Sequence, residues 1–190
     1  MFLQVNNLLQ GINVFLIGMM GAGKTTVGHL LARQMGYRFV DTDVLVEKVA
    51  GKAINKIFAD DGEEAFRQLE GQVLSELSAY PKRIIATGGG IVLQRMNWSY
   101  LHYGLIVWLD APVDVLIDRL QNDTTRPLLQ DTNPEQALQK LLDQRRSLYA
   151  EADLHIRVNA TETPEQIASR IIAEIPTVLK SPPVDPFTKN

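Results

Sequence analysis

Ile12-Asn13-Val14-Phe15-Leu16-Ile17-Gly18-Met19-Met20-Gly21-Ala22-Gly23-Lys24-Thr25 is the stretch that decides the fold. Its apolar part, Ile12 to Met20, is too short to span a bilayer and runs straight into glycines. It therefore reads as a buried strand, not a signal peptide, and Met1 to Gln10 offer no Lys or Arg to make one. Gly18 to Thr25 fit G-x-x-x-x-G-K-[ST], placed after a strand and before a helix as that motif requires. Glycines let backbone N–H groups turn inward around a β-phosphate, and the helix N-terminus adds the positive end of its dipole. Lys24 is expected to bring a point charge to the β- and γ-phosphates, and Thr25 to set its hydroxyl on Mg2+. A turn that binds nothing would explain the glycines but not Lys24 followed by Thr25.

Outward from this loop, short apolar runs alternate with longer segments of helical period. That pattern makes an α/β fold with a parallel sheet covered by helices on both faces. Five strands are expected, at Ile12 to Ile17, Tyr37 to Val40, Arg83 to Ala86, Leu105 to Leu109 and Leu154 to Val158. Val27, Leu30, Leu31 and Met35 recur at helical spacing, and Gly36 suits the end of that helix. Asn133-Pro134-Glu135-Gln136 and Thr163-Pro164-Glu165-Gln166 each announce a helix start, with an N-cap, a first-turn proline and a capping-box glutamine.

At 190 residues and 45% hydrophobic content the chain can bury one sizeable core. A single domain is expected over 1–180, with a flexible tail over 181–190 that carries Pro182, Pro183 and Pro186. The net charge of −3 and the lack of any Lys/Arg stripe argue against a nucleic-acid partner, and no membrane partner is expected either. With no cysteine there is no disulfide, zinc-thiolate site or thiol nucleophile. A cytoplasmic monomer is expected. His29, His102 and His155 lack metal-ligand spacing and read as structural.

Several loops compete for the chemistry. A guanine-nucleotide switch would carry N-K-x-D, but Asn55-Lys56 is followed by Ile57-Phe58. Leu105 to Asp110 imitates the apolar strand ending in a magnesium-holding Asp, yet Asp before Ala111-Pro112 is equally an ordinary turn. Asp41-Thr42-Asp43 would sit at the C-terminal edge of the sheet beside the phosphate loop. In an extended chain both acids point to one face, one for magnesium and one for substrate; otherwise they are a helix N-cap and a neighbouring turn acid. Ile54, Ile57 and Phe58 followed by Gly62 to Glu70 read as amphipathic helix, with Arg67 and Glu70 as an i,i+3 pair. Ile84 to Ala86 lead into Thr87-Gly88-Gly89-Gly90, where three glycines suggest that backbone must approach a ligand closely.

Taken together, the phosphate loop, Asp41-x-Asp43, Phe66-Arg67-x-x-Glu70, Gly88-Gly89-Gly90, Arg126-Pro127-Leu128-Leu129 and Arg145-x-x-Leu148-Tyr149 resemble the shikimate kinases in order and spacing over about residues 12–175. The resemblance implies a P-loop kinase fold, an activity that moves the terminal phosphoryl of ATP to the 3-hydroxyl of shikimate, and a place in aromatic amino-acid biosynthesis. It implies that Gly21, Ala22, Gly23, Lys24, Thr25, Thr26, Arg119 and Arg126 contact ATP. It implies that Asp43, Arg67, Gly88, Gly89, Gly90 and Arg145 hold shikimate, with Glu70 orienting Arg67. Thr25 and Asp41 would serve Mg2+, Lys24 and Arg126 would stabilise the transferring phosphoryl, and Asp43 would act as base. A lid is expected over 120–133. Arg146 beside Arg145 leaves the carboxylate-binding arginine open between them, with the spacing to Tyr149 favouring Arg145. Rival readings are another small-metabolite kinase, such as one for gluconate, or a non-catalytic nucleotide- or shikimate-binding homologue.

Overall fold

Val14–Ile17 (β1) is buried at all four positions, as a strand covered on both faces must be. In the computed structural model, which describes residues 9–120 and 133–179, β1 is the middle strand of five. The others are Arg38–Asp41 (β2), Arg83–Ala86 (β3), Leu105–Asp110 (β4) and Leu154–Arg157 (β5). The order is β2-β3-β1-β4-β5, parallel throughout. The edge strand β5 alternates buried and exposed residues, which marks where the sheet runs out of covering.

The intervening helices are Lys24–Met35 (α1), Thr42–Ala50 (α2), Ile54–Asp60 (α3), Gly62–Ser78 (α4), Arg95–Leu101 (α5), Val113–Leu120 (α6), Pro134–Tyr149 (α7) and Pro164–Val178 (α8). From β1 the chain crosses over β3 to reach β2, and from β3 it crosses β1 in the opposite direction to reach β4. Right-handed crossovers in opposite directions put helices on both faces and open a crevice where the connections part, at the C-terminal ends of β1 and β3. The loops after β1, β2 and β3 therefore meet.

Local signals explain the helix ends. Gly36 closes α1 with φ 67, and Thr163 and Gln166 form a reciprocal capping box at the start of α8. At α7 the Asn133 side chain accepts from the Gln136 N–H. The segment read as one amphipathic stretch after Ile54 is two helices. The break falls at Asp61-Gly62, where Gly62 takes φ 85, a left-handed conformation that a helix cannot propagate. Among the described residues no helix is long and apolar enough to cross a membrane. The tail at 181–190 and nearly all of the expected lid, including Arg126, lie outside the described residues.

Gly28 shows how tightly α1 lies on the sheet. A Cβ there would stand 2.5 Å from Phe39 Cε2 and 3.2 Å from Leu16 Cδ1. The Phe39 ring also packs against His29, with centroids 3.8 Å apart. Exchanging a mid-helix glycine for alanine ordinarily stabilises by about 1 kcal/mol. Here the sign should reverse, with Gly28→Ala costing about 1–3 kcal/mol through overpacking. Urea unfolding would register a lowered midpoint; a raised one would mean that the Phe39 ring yields freely.

Candidate active site

The phosphate loop links β1 to α1, and its lysine is turned inward. Lys24 is 9% exposed, and its ammonium donates to the Gly18 carbonyl at 2.9 Å and the Met19 carbonyl at 2.8 Å. Arg119, from the end of α6, donates to the carbonyls of Gly21 (3.3 Å) and Ala22 (3.2 Å). Both cations thus bind carbonyls of the loop, and the Ala22 N–H turns back on the Met19 carbonyl at 3.2 Å.

Asp41 ends β2 and caps α2. One carboxylate oxygen accepts from the Asp43 N–H at 3.0 Å and the other from the Thr25 hydroxyl at 2.7 Å. The chain turns helical at Thr42, so the two acids do not share a strand face, because the cap bond bends the chain there. Asp43 occupies the first helical turn, half-buried, and reaches the glycine loop: its Oδ1 would lie 2.7 Å from a Cβ on Gly88. Thr42, fully buried between the acids, accepts from the Gly88 N–H at 3.0 Å. Its role went unread in the sequence, although a hydroxyl between two acids at a strand end was the available signal.

The glycine loop is crowded by side chains. A Cβ on Gly88 would also meet Glu70 Oε1 at 2.7 Å, and one on Gly90 would fall on the Arg67 guanidinium. A Cβ on Gly89 would stand 3.4 Å from the Gly18 carbonyl oxygen and from the Met20 nitrogen, so the two loops meet backbone to backbone. Arg67 donates to Glu70 at 2.8 Å and reaches Glu63 at 3.3 Å. From α7, Arg145 donates to the Gly89 carbonyl at 3.2 Å and Tyr149 does so at 2.6 Å.

Arg146 points elsewhere. It lies 3.7 Å from Asp110, which also takes the His155 ring nitrogen at 2.9 Å. The Asp110 carboxylate, at the end of β4, is thus engaged with side chains of β5 and α7, a pairing that neither the turn reading nor the magnesium reading of this residue foresaw.

A cavity of about 380 Å3 is lined by Gly21, Gly23, Lys24, Thr25, Thr26, Asp41, Asp43, Gly89 and Arg119. A larger groove, about 620 Å3, lies along α4 and α5 and takes in Arg67, but the phosphate loop contributes nothing to it. The smaller cavity brings together the phosphate loop, a hydroxyl–carboxylate pair of a kind suited to a hard cation, and a second carboxylate beside the glycine loop. Among the described residues no group of three or more His, Cys, Asp or Glu is arranged to hold a metal.

Glu70 has no exposure, and its Oε1 has no hydrogen-bond partner among the described residues. Burial pushes its carboxyl up from the ordinary 4.5, while Arg67 pulls it back only in part. The native state therefore holds this proton more tightly than the unfolded chain. As pH rises from about 4.5 through the raised native value, wild type should lose stability relative to Glu70→Gln. Thermal midpoints of the two proteins across that window test it; a difference independent of pH would mean that Glu70 titrates ordinarily.

The family model for shikimate kinase matches residues 20–176. A shikimate kinase of Trichormus variabilis is 62% identical over 176 residues, spanning 93% of this chain and 97% of the relative. The structure of the Acinetobacter baumannii shikimate kinase in complex with shikimate superposes with a TM-score of 0.86 at 39% identity, covering 91% of this chain and 97% of that one. A gluconokinase of Sinorhizobium meliloti, at 18% identity and a TM-score of 0.56 over 89% of this chain and 94% of that one, shares the fold alone. With the phosphate loop, the glycine loop and two arginines converging on one sheet edge, the chain belongs to the shikimate kinase family.

Proposed function

We propose that this protein transfers the γ-phosphoryl group of ATP to the 3-hydroxyl of shikimate. The observation that carries the reading is the pair of guanidinium groups, Arg67 against Gly90 and Arg145 on the Gly89 carbonyl, set on one glycine loop beside the phosphate loop. Two guanidinium groups suit one carboxylate, and Asp43, next to Gly88, can accept hydrogen bonds from the hydroxyls of the same ring. Glu70 holds Arg67 in place.

The loop N–H groups would cradle the phosphates while Lys24 exchanges its two carbonyl partners for phosphate oxygens. Thr25 and Asp41 already share a hydrogen bond and would together hold Mg2+, directly or through water. When bound, that ion neutralises charge on the phosphates. Arg119 would lie near the adenine, and Thr26 and Arg126 would complete the ATP contacts. The lid over 120–133 would exclude water from the transfer. Catalysis is then mainly positioning and electrostatics, with Asp43 placed to take the hydroxyl proton. Cytoplasmic location and a monomeric state belong to the same reading.

ADP release from ATP and Mg2+ should be strongly stimulated by shikimate and not by gluconate, quinate or nucleoside monophosphates. Turnover with one of those acceptors instead would discard shikimate, and silence with all of them would make the protein a binding homologue. Within the shikimate reaction, Arg145→Ala should raise the shikimate KM about 10- to 100-fold, the worth of a charged hydrogen bond. Arg146→Ala, whose partner is Asp110, should stay within about threefold of wild type. Equal effects of the two variants would remove Arg145 from the carboxylate.

A further inference from the structure

The Gly89 carbonyl takes two donors, the Tyr149 hydroxyl at 2.6 Å and Arg145 Nη1 at 3.2 Å. We propose that Tyr149 is a positioning residue for the acceptor: its hydroxyl keeps the Gly89 carbonyl satisfied, which orients the glycine loop and frees Arg145 for the acceptor's carboxylate. The proposal rests on the shikimate reading above.

Three consecutive glycines have no side chains to fix their conformation, so an external contact must. In a planar trans peptide the carbonyl and the following N–H point in opposite directions. Pinning the Gly89 oxygen toward Tyr149 therefore fixes the Gly90 N–H on the other side of the loop. Arg145 cannot serve the Gly89 carbonyl and also grip a carboxylate with the same N–H. If it left with no substitute, a part-buried carbonyl would lose its partner, at a cost that would weaken acceptor binding. With Tyr149 in place the Gly89 carbonyl keeps a donor through the exchange.

Tyr149 is built to stay where it is. The residue is fully buried, and its ring stacks on Trp108 with centroids 5.7 Å apart. Trp108 in turn lies flat against His155 at 4.1 Å and 7°. The hydroxyl also lies 3.6 Å from Met19 Sδ on the phosphate loop, a weak contact beside its bond to Gly89. Burial pushes the phenol above its ordinary range, against the opposing pull of Arg145, so the group remains a donor at the pH of turnover.

The test is Tyr149→Phe in the full chain, which keeps the ring and removes only the oxygen. We expect the shikimate KM to rise about three- to tenfold and the ATP KM to stay within about twofold of wild type, as for loss of one hydrogen bond on the acceptor side. Without any substrate, amide exchange over residues 88–91 should quicken while residues 18–25 exchange as in wild type. A rise in both KM values alike, a change in neither, or unaltered exchange at 88–91 overturns the proposal. Wild type that ignores shikimate would overturn the acceptor reading instead, and the exchange measurement, which needs no acceptor, then decides the role of Tyr149 alone.

Discussion

The site depends on two backbones coming together. The phosphate loop after β1 and the glycine loop after β3 touch at Gly89, where even one added carbon would stand 3.4 Å from the Gly18 carbonyl and the Met20 nitrogen. Neighbouring strands in a sheet lie only about 4.8 Å apart, so loops leaving two adjacent strands at the same edge have little room for side chains between them. Glycine is required on either side of that contact, at Gly88, where an added carbon would stand 2.7 Å from the Asp43 and Glu70 carboxylate oxygens, and at Gly90, where it would fall on the Arg67 guanidinium. On the reading proposed above, the same crowding would bring the donor's phosphates within reach of the acceptor, and the strand spacing would set the distance between them.

Around that contact, carboxylates and cations are arranged in pairs with divided duties. Asp41 spends one oxygen on the α2 N-terminus and the other on Thr25, so the cation site proposed above and the fold would share a residue. Glu70 is buried against Arg67, which is unfavourable for the acid alone and tolerable only beside the guanidinium. Asp110 draws Arg146 and His155 to the far side of Trp108, which leaves Arg145 as the arginine of α7 that faces the glycine loop.

The phosphate loop and all five strands were legible in the sequence, because each rests on contiguous residues: an apolar run, a fixed spacing, a glycine in place. Arg83–Ala86 fell as expected, and the ends of the other four strands shifted by one or two residues. Asp41 and Asp43 were legible as a site but not as a geometry, since a capping bond bends the chain between them, and extended and capped chains look alike in one sequence. Arg67 reads locally as a surface pair; its partner loop is some twenty residues downstream, and only the shared motif order pointed to it. The choice between Arg145 and Arg146 is a matter of about 100° around a helix, set by what lies across the gap. Thr42 escaped for the same reason, and Tyr149 was read as part of a motif but not for its contact, as each bonds a backbone atom far away in the chain.

The two carbonyl bonds made by Lys24 have a kinetic meaning. A loop that winds around an anion could be slack and organise itself on each encounter. Here the lysine cross-links its own loop at Gly18 and Met19 while Arg119 braces Gly21 and Ala22. On the reading proposed above, an incoming triphosphate would meet a cradle already wound. Its arrival would require one ammonium to pivot and some water to leave, and the ordering entropy of the loop would have been met during folding of the chain.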